Sequence, residues 1–171
     1  MMKRERRRGY SLLEVMMVVT ILGIVSSVGA RLLLQANRYF IFTQAKADLQ
    51  RQARAAMYVI TSQLRQAQAS TIVIDQAAGQ PYYSRVTFTP LGAATSISFE
   101  QNGTKLMQIA GTCLAASCQH ILATHLLYLA ITFSESDNMS IVSVSMTLQE
   151  NTYQGHTKAL HMASEQVQVM N

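Results

Sequence analysis

The stretch RRRGYSLLEVMMVVTILGIV, Arg6–Val25, decides how the chain is read. An arginine cluster ends in a glycine. An apolar run follows that holds one glutamate, Glu14, almost at its start. Ser11–Ala30 is 20 residues. At about 1.5 Å rise per residue, a helix of that length spans roughly 30 Å, the thickness of a bilayer's hydrocarbon core. Leu12, Leu13, Met16, Val19, Ile21, Leu22, Ile24 and Val25 leave it no polar face. Arg31 closes the run, and its long side chain can snorkel to the interface.

Outside this stretch the composition is that of one ordinary domain with an appendage. The chain has 171 residues, 49 % of them apolar and 13 % charged, where a soluble protein averages about 25 % charged. The net charge of +5 invites a nucleic-acid partner, but its placement argues against one. Lys3, Arg4, Arg6, Arg7 and Arg8 face only Glu5 within residues 1–9, whereas residues 71–171 are net acidic. A short basic start before an apolar run sets orientation instead: the N-terminus stays cytoplasmic and the rest lies outside the inner membrane.

Two ordinary readings of residues 1–30 compete. One is a removable signal peptide, with Val28-Gly29-Ala30 as a small-residue cleavage site. The other is a plain signal anchor. Neither needs Glu14, and a central acid in a membrane span costs about 2.5–3.5 kcal/mol, less near its edge.

Gly9-Tyr10-Ser11-Leu12-Leu13-Glu14-Val15 resembles the cleavage and methylation motif of type IV prepilins and type II secretion pseudopilins. The pattern is a basic leader, glycine, an aromatic residue, Ser or Thr, two apolar residues, glutamate, and then a long apolar run. Tyr10 stands where phenylalanine is commoner. The resemblance implies that a prepilin peptidase cuts between Gly9 and Tyr10 and methylates the new amine of Tyr10. It further implies that subunits, stored in membrane lipid, leave it sideways through an inner-membrane assembly platform into a helical filament. Glu14 then has a purpose. Burying a lone ammonium or a lone carboxylate costs several kcal/mol, and pairing Tyr10's amine with a neighbour's Glu14 offsets both costs and fixes register. A carboxylate at a helix N-terminus also complements the helix dipole.

The helical pattern continues past the membrane. Residues 31–70 contain no proline and no glycine. Ala45, Leu49, Ala53, Ala56, Met57, Ile60, Leu64 and Ala67 recur at spacings of three and four, forming one apolar stripe. Gln44, Lys46, Arg51, Arg54, Gln63 and Arg65 take the other faces. The chain therefore divides into a basic leader at 1–9, a membrane half-helix at 10–30, an amphipathic half-helix at 31–70 and a head at 71–171. Arg38, Lys46, Arg51, Arg54 and Arg65 read as a solvated face, with phosphate contact as the alternative.

After Ser70 the texture changes to period two. Residues 71–74 are β-branched, segments at 85–89, 96–100, 127–133 and 142–148 alternate apolar and polar residues, a strand at 105–109 follows a turn, and a further strand lies at Val167 and Val169. Asn102-Gly103 marks a hairpin turn. An antiparallel sheet buried on one side, with the helix stripe as its cover, gives an α+β fold. The order resembles a minor pilin or pseudopilin head. Residues 48–57 and 64–67 resemble the PilW-like and J-type pseudopilin subgroup, which implies a place near the filament tip or in priming assembly.

Cys113 and Cys118 enclose four residues, and outside the inner membrane a disulfide is the expected state. Free thiols, or a metal site with His120, are the alternatives, but a C-x4-C pair with one histidine falls short of a zinc ligand set. His120/His125 and His156/His161 are each five apart, a spacing that shares neither a helix face nor a strand face. There is no Gly-x-Ser-x-Gly, phosphate-cradling glycine loop or His-Glu-x-x-His. No catalytic residue, metal or cofactor is expected. The expected role is a structural subunit of a type IV pilus machine, with a type II secretion pseudopilin, a DNA-uptake subunit and a secreted binding domain as alternatives.

Overall fold

A computed structural model describes residues 9–111, 118–134, 140–153 and 157–169. The chain forms two compact units, Met1–Ile41 and Phe42–Asn171, and one helix, α1 (Leu12–Arg65), contributes to both.

In the first unit, α1 starts where the sequence lets it. The Ser11 carbonyl accepts the N–H of Glu14 at 3.0 Å and of Val15 at 3.2 Å, closing the first turn. Two of the span's hydroxyls are satisfied within the helix. Thr20 Oγ1 donates to the carbonyls of Met16 and Met17 at 3.1 and 2.8 Å, and Ser27 Oγ to that of Ile24 at 2.9 Å. Long and apolar enough to cross a membrane, the helix has no buried residue in its most hydrophobic window.

In the second unit the stripe read from the sequence is the buried face. Leu49, Ala53, Ile60 and Leu64 are fully covered, and Ala45, Ala56, Met57 and Ala67 nearly so. The helix stops at Arg65, short of Ser70. Gln66 and Ala67 make tighter bonds to the carbonyls of Gln63 and Leu64. The chain is then captured by a neighbouring segment: Gln68 N–H donates to Thr89 and Leu91 N–H to Gln66. A 3-10 turn, Ala69–Thr71, completes the exit.

The strands are β1 (Val73–Asp75), β2 (Arg85–Phe88), β3 (Ile97–Asn102), β4 (Lys105–Ala110), β5 (Gln119–Ala123), β6 (Leu126–Phe133), β7 (Ile141–Tyr153) and β8 (Thr157–Gln168). Where one sheet is expected there are two: a five-stranded meander, β1 to β5, and a three-stranded meander, β6 to β8, all antiparallel. The break falls at His125, held in the left-handed region at φ 61°. The hairpin at Asn102 forms as expected, with Gly103 at φ 59°.

The helix stripe and both sheets share one core, which includes Phe88, Phe99, Leu106, Leu129, Ile131, Met146 and Leu148. Phe88 and Phe99 meet at 6.0 Å between ring centres. Gln101, only 4 % exposed, joins the sheets. Its Nε2 donates to the Leu127 carbonyl at 3.3 Å and its Oε1 accepts the Leu129 N–H at 3.0 Å. Gln52 and Gln63 of α1 bond to Thr124 and Gln108 respectively.

Asp75, Arg85 and Glu100 form a ladder across β1, β2 and β3. Arg85 binds Asp75 through two nitrogens, each at 2.6 Å, and Glu100 lies at 3.9 Å. Donating these hydrogen bonds to Asp75 raises the Arg85 pKa above its ordinary value, burial opposes the rise, and attraction to both acids adds to it. More than a third of each side chain of the Asp75 pair is exposed. We therefore expect Asp75→Asn to cost less than about 1 kcal/mol in urea unfolding, the scale of a solvent-screened pair.

Candidate functional site

The residues of the N-terminal motif lie together at the start of α1. Gly9 and Tyr10 are non-helical and exposed, Tyr10 by 84 %. Nothing lies within 4 Å of where a Gly9 side chain would begin, so the backbone there is open to an approaching enzyme. Glu14 sits in the first turn, exposed, with no ion-pair partner among the described residues. Glu14 follows Tyr10 by four residues, a little over one helical turn. A carboxylate on the apolar helix thus stands close beyond the residue whose amine cleavage would expose. Downstream, Leu12, Leu13, Met16 and Val19 are all more than half exposed, as a surface meant for lipid or for other helices would be.

The other sequence-derived candidates are scattered. Among the described residues no cysteine is free. Cys113 and His156 lie outside those residues, and so does the pairing expected of Cys113 with Cys118. His120 is exposed on β5, His125 is exposed in the turn before β6, and His161 is half-buried on β8. Among the described residues no three His, Cys, Asp or Glu side chains gather as metal ligands. Arg38, Lys46, Arg51, Arg54 and Arg65 are all exposed, and Arg51 pairs with Asp48 at 3.3 Å. Sequence reading missed β5 and most of β8. The stretch Ala159–Gln166 has no β-branched residue and no apolar–polar alternation, so nothing local in it announces a strand.

Comparison with known families bears on the motif itself. Residues 4–30 match the family described as the prokaryotic N-terminal methylation motif. The match supports a likeness to the type IV prepilin and pseudopilin superfamily, a family of structural subunits. With α1 packed on antiparallel sheets, the chain is an α+β, pilin-like protein. The motif implies processing by a prepilin peptidase and assembly with other pilin subunits. No curated protein and no solved structure matches the chain.

Proposed function

We propose that this protein is a minor pilin-like structural subunit of a type IV pilus machine. It is cut between Gly9 and Tyr10 on the cytoplasmic face and methylated at Tyr10. It is held in the inner membrane by residues 12–30 with its head on the periplasmic side, and it joins the filament by pairing the Tyr10 amine with a neighbour's Glu14. The observation that carries this is the conjunction of the matched motif with an exposed Gly9–Tyr10 segment leading straight into an apolar helix whose first turn holds Glu14. A Cys113–Cys118 disulfide belongs to the same reading, since the head would fold in an oxidising compartment.

A minor pseudopilin of a type II secretion system would share the motif, the helix and the head. The genes flanking this one, pilus or secretion, separate the two. A secreted binding domain behind an ordinary signal peptide predicts a different N-terminus. Intact mass and N-terminal sequencing of the protein purified from cells should give a chain that begins at Tyr10 with one added methyl. A chain beginning at Arg31, or one retaining the arginine cluster, would end the pilin reading.

A further inference from the structure

The fold leaves its sheet edges in unequal states. The outer edge of β6 is closed: Ile131 N–H donates to the Tyr83 carbonyl at 2.9 Å, and the Gln101 amide binds Leu127 and Leu129. The edge strands β1 and β5 are only three and five residues long, and short edges offer little to pair with. β8 is 12 residues long and ends its sheet, and among the described residues no strand pairs with its outer side.

The hydrogen-bond phase of β8 follows from one contact. Val169 N–H donates to the Ser140 carbonyl at 2.7 Å, and the register continues without a shift from Ile141↔Gln168 to Asn151↔Lys158. Antiparallel bonding alternates, so the odd-numbered residues of β8 bond to β7. The N–H and C=O groups of Leu160, Met162, Ser164 and Gln166 therefore face outward. Side chains alternate to match: Ala159 and Val167 are buried, while Leu160 and Met162 are 53 % and 73 % exposed.

Beside β8 lies a groove of about 330 Å³, lined by Arg54, Tyr58, Thr61, Ser62 and Arg65 of α1 and by Glu165. Glu165 is odd-numbered, so the groove opens on the inner side of β8. A strand added to β8 would send every second side chain toward it. Two arginines and one glutamate line it, and Tyr58, between the arginines along α1, is 74 % exposed.

We propose that the outer edge of β8 and this groove form one docking surface for an extended segment of a neighbouring filament subunit. The segment adds as a fourth strand along Leu160–Gln166 and turns acidic side chains toward Arg54 and Arg65. The choice of partner rests on the filament reading. Main-chain bonds supply affinity in such strand addition, and the alternate side chains supply specificity. Glu165, an inward charge at a sheet edge, discourages indiscriminate pairing.

The surface is tested on the full-length chain in detergent. The probe is a short acetylated peptide of alternating valine and glutamate, and its lysine counterpart is the control. Anisotropy should show the glutamate peptide binding about tenfold tighter, and amide exchange should slow at Leu160, Met162, Ser164 and Gln166. Met162→Pro removes an outward N–H and leaves the bonds to β7 intact, so it should abolish that protection. Arg54→Glu together with Arg65→Glu, both on the exposed helix face, should reverse the peptide preference without disturbing β8. Unchanged exchange at those four amides, or equal affinity for the two peptides, would overturn the surface. In cells, a folded Met162→Pro chain should be recovered in sheared filaments well below the wild-type level, because the main-chain bonds that supply affinity in strand addition are interrupted. Normal recovery would overturn the assignment of the partner. A wild-type chain cut at Ala30 would sink the filament reading through its N-terminus, independently of the exchange data.

Discussion

Glu14→Ala is expected to leave cleavage after Gly9 intact and to reduce incorporation into filaments by roughly two orders of magnitude. On the proposed mechanism, cleavage acts on the exposed segment around Gly9 and Tyr10, which the substitution does not touch. Incorporation, on the same mechanism, depends on what meets the Tyr10 amine once lipid is left behind. Breaking a buried pair by removing one partner costs about 3–5 kcal/mol, because the other charge stays buried alone, and each 1.4 kcal/mol is about a factor of ten. Glu14→Gln keeps the size and the hydrogen-bonding shape but not the charge. If charge pairing is what counts, it should fail nearly as badly as alanine. The measurement is the ratio of processed subunit in sheared filaments to that in membranes. Normal incorporation of Glu14→Ala would remove the pair from the mechanism. In the membrane fraction Glu14→Ala should accumulate, since the span becomes more apolar when its acid is lost.

Gln101→Ala is expected to destabilise the head more than any surface change. The side chain is 4 % exposed and bonds the carbonyl of Leu127 and the N–H of Leu129, tying β3 to the outer edge of β6. Its loss strands those backbone groups away from water, at about 1–3 kcal/mol each. Guanidinium unfolding of the full chain should show a lower midpoint with an unchanged slope, the mark of lost stability in an otherwise similar fold. Gln101→Leu is the informative companion. It refills the volume but restores no hydrogen bond, so it should recover little. If leucine recovers most of the loss, packing and not polar linkage holds the two sheets together there.

That glutamine also shows where the sequence is hard to read. The helix stripe Ala45–Ala67 was visible because a 3.6-residue period survives composition, and every residue assigned to it is buried. β2, β3, β6 and β7 were visible because Val86, Phe99, Ile131 and Val144 sit in segments of period two, and β4 because the Asn102-Gly103 turn leads into it. The split into two sheets was not visible, because it depends on His125 at φ 61° and on bonds from Gln101 and Tyr83, which no local pattern announces. Gln101 falls between the alternating segment at 96–100 and the Asn102-Gly103 turn, where no local pattern sets it apart. β8 was hidden for a different reason. Ala159, Met162, Ala163 and Glu165 favour helix in isolation, and only the long ladder to β7 holds them extended. The motif at Gly9–Glu14 was legible in full, because its chemistry lies in residue order and not in a folded surface.

The hydroxyls of Thr20 and Ser27, turned back onto their own helix, leave the span almost mute toward its surroundings. Glutamate aside, one greasy rod of this kind is as good as another, and such an anchor is portable between chains. Choosing the right neighbour then falls to the surfaces of the head, and exchanging anchors between two such proteins should leave each loyal to its own companions.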